Sequence, residues 1–287
     1  IITTEYCHKY WEEKDFIAGI CDDVEAAVAR VEKLAGKKFG SSENPLLVSV
    51  RSGAPVSMPG MMDTILNLGL NDDTVAALAK SAGDERFAYD SYRRFIQMFS
   101  DVVLEVDLEK FEERLAQARE NAGVKEDYKI PAEELKKLVV DYKKIVEEAG
   151  CTFPTDPWVQ LRLAIDAVFR SWNTPRAITY RKINNIPAEY GTAVNIVTMV
   201  FGNLGDDCGT GVCFTRSPSN GENKLFGEYL INAQGEDVVA GIRTPVPIAS
   251  LEKAMPEVYK EFHRIAKLLE THYRDAQDIE LTVERGK

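Results

Sequence analysis

Arg51 closes the apolar run Pro45-Leu46-Leu47-Val48-Ser49-Val50 and opens Ser52-Gly53-Ala54-Pro55-Val56-Ser57-Met58-Pro59-Gly60. The run reads as a short buried strand, so the guanidinium is expected to project from a sheet edge. Arginine offers a planar fork of donors, and glycines let a backbone approach phosphate oxygens closely. Ser52, Ser57 and Thr64 add hydroxyls. The combination suits an anionic ligand, although an arginine paired with a surface carboxylate beside an irregular loop accounts for it equally well. Residues 51–60 hold two prolines and two glycines, which argues against a regular element there. They match neither the Walker pattern nor the dinucleotide fingerprint.

A second group is acidic. Glu236-Asp237 falls in an expected turn between strands, while Asp278 and Glu280 stand two apart on a final strand. Strand residues at i and i+2 share a face, so both carboxylates point into one space. Such hard oxygen donors suit Mg²⁺ that also touches phosphate; a solvated strand face fits the same spacing. A third candidate is the apolar run Val194–Phe201, which ends in Gly202-Asn203. It is either a plain core strand or a connector whose backbone reads an adenine edge. Gly209-Thr210-Gly211 then either approaches phosphate or supplies hairpin turns.

Several chemistries are disfavoured. The five cysteines form no Cys-x-x-Cys, and His8, His263 and His272 do not cluster with them. Reduced thiols fit better than a zinc site or a disulfide framework. No Gly-x-Ser-x-Gly accompanies the histidines, which argues against a serine hydrolase. Lys and Arg number 35 against 46 Asp and Glu, a net charge of −11 that suits no groove for duplex nucleic acid. The longest apolar stretch, Ala193 to Phe201, is too short to span a bilayer.

The 287 residues, 45% apolar, suffice for one large domain or two smaller ones. Asp22 or Asp23 is expected to cap a helix ending at Gly36. Residues 72–151 read as mostly helix. Starts are expected at Asp73 or Thr74, near Asp84, at Leu108 and at Pro131, and another follows at Asp156-Pro157. Beyond Pro175 the pattern turns strand-like: 193–202, 211–216, 227–233 and 238–243. A helix over 256–269 precedes a last strand around Ile279, Leu281 and Val283. The fold class is therefore α+β, a helical block lying between sheet-bearing regions. The last strand runs into Glu284-Arg285-Gly286-Lys287, turn chemistry without a second strand. A piece of a longer polypeptide is expected.

Together these segments resemble a known family. Val48-Ser49-Val50-Arg51-Ser52-Gly53-Ala54 and Ser57 through Asn71 are similar to the N-terminal nucleotide-binding domain of the pyruvate phosphate dikinase family. So are Arg86 through Phe95, Ser171-Trp172-Asn173-Thr174-Pro175-Arg176-Ala177, Gly209-Thr210-Gly211-Val212, Gly227 through Asp237, and Gln277-Asp278-Ile279-Glu280.

The resemblance implies an ATP-grasp fold with a helical insertion, in which two subdomains clasp ATP and Mg²⁺. It implies a subdomain made of 1–70 with 156–202, a helical insertion over 71–155 and a second subdomain over 203–287, hinged near Gly202. In the implied reaction ATP pyrophosphorylates a histidine on a separate swivelling domain and leaves as AMP. Phosphate then takes the terminal phosphoryl group, leaving as pyrophosphate, and the remaining phosphohistidine converts pyruvate to phosphoenolpyruvate on a C-terminal barrel. Carried over by residue, Arg51 grips the phosphates and stabilises charge during transfer. Gly60 and Thr210 lie against the polyphosphate, and Glu236 with Asp237 faces the nucleotide. Asp278 and Glu280 hold Mg²⁺ or position phosphates, and Met199 and Val200 contact adenine. A cytoplasmic or plastid homodimeric parent enzyme is implied, with no nucleic-acid or membrane partner.

The sequence departs from the family pattern in three places. The glycine-rich segment with a phosphate-binding lysine is expected before Ile1, and a strand with a glutamine and an arginine after Lys287. Pro55 stands where relatives usually carry arginine. The chain alone is accordingly expected to bind ATP weakly and not to turn over. Phosphoenolpyruvate synthase has the same layout, but the Met58–Asn71 match and the helical insertion favour the dikinase. A non-catalytic docking module is the alternative of another kind; the presence of Arg51, Glu236, Asp278 and Glu280 together speaks against it.

Overall fold

The computed structural model describes residues 1–12, 19–239 and 243–287, and only the backbone of Glu236 and Val239. It comprises two compact units, Ile1–Met199 and Val200–Lys287.

In the first unit, α1 (Glu5–Glu12) and α2 (Cys21–Ala35) precede the sheet. Ile20, not an aspartate, occupies the N-cap of α2. Asp22 and Asp23 lie inside its first turn, where carboxylates meet the positive end of the helix dipole. Strands β1 (Lys38–Phe39) and β2 (Pro45–Leu46) form a short parallel pair. Strands β3 (Val48–Gly53), β4 (Thr64–Leu68) and β5 (Ala193–Thr198) make an antiparallel sheet in the order β4-β3-β5.

Two expectations are corrected here. Regular structure does not stop at Arg51, because β5 pairs with β3 as far as Gly53 opposite Ala193. Gly53 is tolerated in the ladder for a local reason: the Asn195 amide nitrogen lies 2.4 Å from where its Cβ would stand. Strand β5 ends at Thr198 rather than continuing to Gly202. Strand β4 has no counterpart among the expected elements. Its pairing shifts by one residue between Val48 and Val50, and Asn67 there takes φ 58°. That bulge sets which residue of β4 faces Arg51.

The helical layer starts from local capping. Asn71 and Thr74 form a capping box before α3 (Asp72–Ala82), and Asp84 caps α4 (Glu85–Val102). Asp107 caps α5 (Leu108–Ala122), and Pro131 precedes α6 (Ala132–Glu148). Asp156 caps α7 (Pro157–Ser171), which starts on a proline as expected. Between Pro175 and the strand at Ala193, where no helix is expected, Thr174 caps a further one, α8 (Pro175–Ile183). This helix buries only Ala177 and Arg181, so it leaves almost no apolar periodicity in the sequence.

Helix α7 packs across β3, β4 and β5, and α4 packs on β4 and α6. Val48, Val50, Ile65, Leu68, Leu161, Ile165, Phe95 and Phe99 are all buried. Phe95, Phe99 and Phe153 meet edge to face, with ring centroids 5.5 or 5.6 Å apart.

The second unit is a four-stranded antiparallel sheet in the order β8-β7-β6-β9. Its strands are β6 (Gly209–Phe214), β7 (Phe226–Ile231), β8 (Val246–Pro247) and β9 (Asp278–Val283). Helices α9 (Gly235–Val239), α10 (Leu251–Ala254) and α11 (Pro256–Tyr273) complete it. Cys213, Tyr229, Ile248, Leu251 and Phe262 form its buried core, with Ile279 and Leu281 packed against them. Alternation then places Thr210, Val212, Phe214, Asp278, Glu280 and Thr282 on the other face of the sheet.

Two more expectations change in this unit. Val238 and Val239 are helical, not strand, and 240–242 lie outside the described residues. The Asp237 carboxylate accepts the Gln234 N–H at 2.9 Å, a reach-back that favours a helical turn. Gly209 and Gly211 lie inside β6 and are not hairpin turns. A Cβ on Gly211 would meet the Glu228 carbonyl oxygen at 2.7 Å.

Candidate functional site

Arg51 sits on the face of β3 opposite the buried Val48 and Val50, and its side chain is exposed. It stands between Thr64 on β4 and Asn195 on β5. Among the described residues its guanidinium has neither a hydrogen-bond nor an ion-pair partner. The surface-carboxylate explanation is thereby set aside within those residues. Asn195, which donates to the Ser52 carbonyl at 3.3 Å, was not among the candidate residues. Its only trace in the sequence is the polar interruption of an apolar run.

The loop after β3 turns at Met58–Met61, where the Met61 N–H donates to the Met58 carbonyl at 3.1 Å. Gly60 takes φ 69°, and nothing lies within 4 Å of where its Cβ would stand. Glycine is required here for its dihedral rather than for room. The Met199 N–H donates to Leu47 O at 2.9 Å, and Val200 is half exposed.

In the second unit Thr210 is buried and its hydroxyl donates to the Leu281 carbonyl at 3.1 Å. Glu236 lies in α9, with its side chain outside the described residues. Asp237 is buried, and its carboxylate is engaged by the Gln234 N–H. Asp278 pairs with Phe214 and Glu280 with Val212 across the β6–β9 ladder. Both carboxylates are exposed, share one strand face with Thr210, and lack hydrogen-bond or ion-pair partners among the described residues.

Among the described residues no three His, Cys, Asp or Glu side chains gather in a way that could hold a metal. Two free carboxylates on one face still fit Mg²⁺, which commonly takes one or two carboxylates and completes its shell with water and substrate phosphates. All five cysteines are free, and burial pushes the Cys213 thiol up to about 11. Among the described residues no helix is long and apolar enough to cross a membrane.

The class defined by these features is an α+β domain whose two antiparallel sheets each present unpaired charged groups on one face. Residues 16–256 match the family model described as "Pyruvate phosphate dikinase, AMP/ATP-binding domain". The chain belongs to this family, and the domain is of the ATP-grasp type. It is 57% identical over 289 residues to "Pyruvate, phosphate dikinase" of Clostridium symbiosum, and 55% identical over 300 residues to that of Rhizobium meliloti (strain 1021). It is 54% identical over 288 residues to "Pyruvate, phosphate dikinase, chloroplastic" of Mesembryanthemum crystallinum. Each match takes in 100% of this chain but only 33%, 33% and 30% of the respective relative. The chain thus spans about a third of the length of those relatives.

Proposed function

We propose that the chain is the ATP-binding part of a pyruvate phosphate dikinase, with Arg51 as its principal phosphate ligand. The observation that carries this reading is an exposed guanidinium on β3, unpartnered among the described residues, in the strand that leads into the Gly60-bearing loop of a chain of this family. Arg51 binds phosphate oxygens and stabilises the charge that grows on them during transfer. The Gly60 turn and Thr210 line the polyphosphate, Glu236 and Asp237 face the nucleotide, and Met199 and Val200 contact adenine. Asp278 and Glu280 orient the phosphates and would hold Mg²⁺, which when bound neutralises phosphate charge. The functional division follows 1–70 with 156–202, the helical insertion 71–155, and 203–287.

In the full-length protein the phosphoryl acceptor is a histidine on a swivelling domain, and pyruvate is phosphorylated on a C-terminal barrel of a homodimer. The overall conversion is ATP, pyruvate and phosphate to AMP, phosphoenolpyruvate and pyrophosphate. The location is cytoplasmic, or plastid for a plant parent.

Calorimetry with Mg-ATP on the full-length protein tests the reading. Arg51→Ala is expected to weaken binding by at least about tenfold, since hydrogen bonds to charged groups contribute about 1.5–3 kcal/mol. Unchanged binding would reject Arg51 as the ligand, and no ATP binding by the wild type would favour a docking module. Turnover that consumes phosphate marks the dikinase; turnover that releases it marks the synthase.

A further inference from the structure

Ser171-Trp172-Asn173-Thr174-Pro175-Arg176 contributes no group to the phosphate site described above, yet it holds the loop that follows Arg51. Arg176, the second residue of α8, donates from Nε to the Met61 carbonyl at 3.2 Å and pairs through Nη2 with the Asp63 carboxylate. Ser171, the last residue of α7, accepts the Asp63 N–H at Oγ, 3.3 Å away, and lies 3.9 Å from the Met62 sulfur. Met61 is therefore held by the start of α8, Met62 by the end of α7, and Asp63 by both.

Those three residues occupy a particular place in the chain. The Met61 N–H closes the turn containing Gly60, and Thr64, the next residue after Asp63, stands opposite Arg51. Any displacement of Met61–Asp63 moves the turn and the Arg51–Thr64 pair together. The Arg176 side chain is 53% exposed, and exposed ion pairs add only about 0–1 kcal/mol of stability. Its forked contact with a carboxylate and a carbonyl sets geometry more than it adds stability. Burial pushes the Asp63 and Asp101 carboxyls up, and the Arg176 charge works against that in both.

We propose that Arg176 is a positioning residue for phosphate binding: through Met61 and Asp63 it fixes the Gly60 turn and the strand pair of Arg51 in the geometry the nucleotide phosphates need. This rests on the reading of Arg51 as the phosphate ligand. The function of the helix junction 171–176 is thus to brace a loop that belongs to the site.

The test compares Arg176→Ala, Arg176→Lys, Asp63→Ala and the double Ala variant in the full-length enzyme, with Arg51→Ala as reference. The readouts are melting temperature, KM for ATP and the rate of ATP-dependent histidine phosphorylation. Misplacing reacting groups by about 1 Å costs roughly 10²-fold in rate. Arg176→Ala and Asp63→Ala are each expected to slow that step by about 10–100-fold without lowering the melting temperature. The double variant is expected to be no slower than either single, because the pair acts as one clamp. Arg176→Lys, which keeps the charge and loses the fork, is expected to fall between wild type and Ala.

Multiplying losses in the double variant, a wild-type rate for Asp63→Ala, or rate losses that track melting temperature would each overturn the proposal. Loss of activity in Arg51→Ala with full activity in the Arg176 and Asp63 variants would sink the clamp alone. Full activity in Arg51→Ala would sink the phosphate reading beneath it.

Discussion

Gly227 lies opposite Cys213 in the β6–β7 ladder, so close that a Cβ on the glycine would stand 2.6 Å from the Cys213 Cα. The same Cβ would be 2.1 Å from the Val212 carbonyl oxygen. Both neighbours are backbone, which cannot rotate away. Strand β6 also pairs with β9, so the backbone that a Gly227 side chain would displace is continuous with the ladder of Asp278 and Glu280.

Gly227→Ala should therefore destabilise the fold by about 1–3 kcal/mol, the usual cost of overpacking a tight site. Urea unfolding monitored by circular dichroism checks this. A variant as stable as the wild type would show that β7 shifts freely.

Asp90 predicts an acid-sensitive element. It is buried among Arg93, Arg94 and Arg86, with Arg93 Nε 2.8 Å from its Oδ1. Burial alone would raise its pKa, but the three guanidiniums overcome this and hold it at about 2, below the ordinary 3.8. A depressed carboxyl pKa stabilises the fold fully above the unfolded value and loses that contribution as pH falls through the folded value. The window is thus pH 4 down to 2, and the contribution is about 2 kcal/mol at about 1.4 kcal/mol per pKa unit. Asp90→Asn should be less stable than wild type at pH 7, with the gap narrowing towards pH 2 in urea titrations. A gap independent of pH would exclude the charge as its cause.

Gln160 is fully buried and joins three backbone groups across the first unit. It accepts the Gly69 N–H at 3.1 Å and donates to Leu70 O at 3.0 Å and Pro154 O at 2.8 Å. Gln160→Leu keeps the approximate volume and strands those groups. At about 1–3 kcal/mol for each buried group left unpaired, a loss of about 3 kcal/mol is expected. Thermal unfolding of the variant is the measurement.

Asp278 and Glu280 make no contact within the described residues that stability depends on. Asp278→Asn and Glu280→Gln should leave the unfolding midpoint unchanged. ATP affinity in Mg²⁺ should drop by about tenfold or more, while affinity in EDTA should hardly move. Equal losses with and without Mg²⁺ would assign the pair to phosphate orientation rather than to the metal.

The helix starts at Asn71, Asp84, Asp156 and Thr174 show what can be read locally. Each capping oxygen accepts from a backbone N–H two or three residues ahead, so the signal lies in adjacent sequence. Where a strong apolar period follows, as in α4 and α7, the helix is legible; where it is weak, as in α8, the same cap does not announce a helix by itself. The stretch 238–239 failed differently. Its β-branched valines suggest a strand, but Asp237 reaching back to Gln234 decides for a helical turn. The strand positions of Arg51, Asp278 and Glu280 are legible because the strand period suffices for them. Asn195 and the Arg176–Asp63 clamp are not, since each acts on a residue far away in the chain.

By itself the sequence determined the α+β class, most of the helix starts, the family resemblance and the alternation that places Asp278 and Glu280 on one strand face. These depend on local dihedral preference, short-range hydrogen bonds and a period of two. Only the tertiary structure decided that Thr64 and Asn195 flank Arg51, that Gly60 is needed for its dihedral, and that Arg176 braces the loop. Those facts follow from cross-strand register and helix docking. A single bulge at Asn67 shifts that register by one residue, and no local pattern announces it.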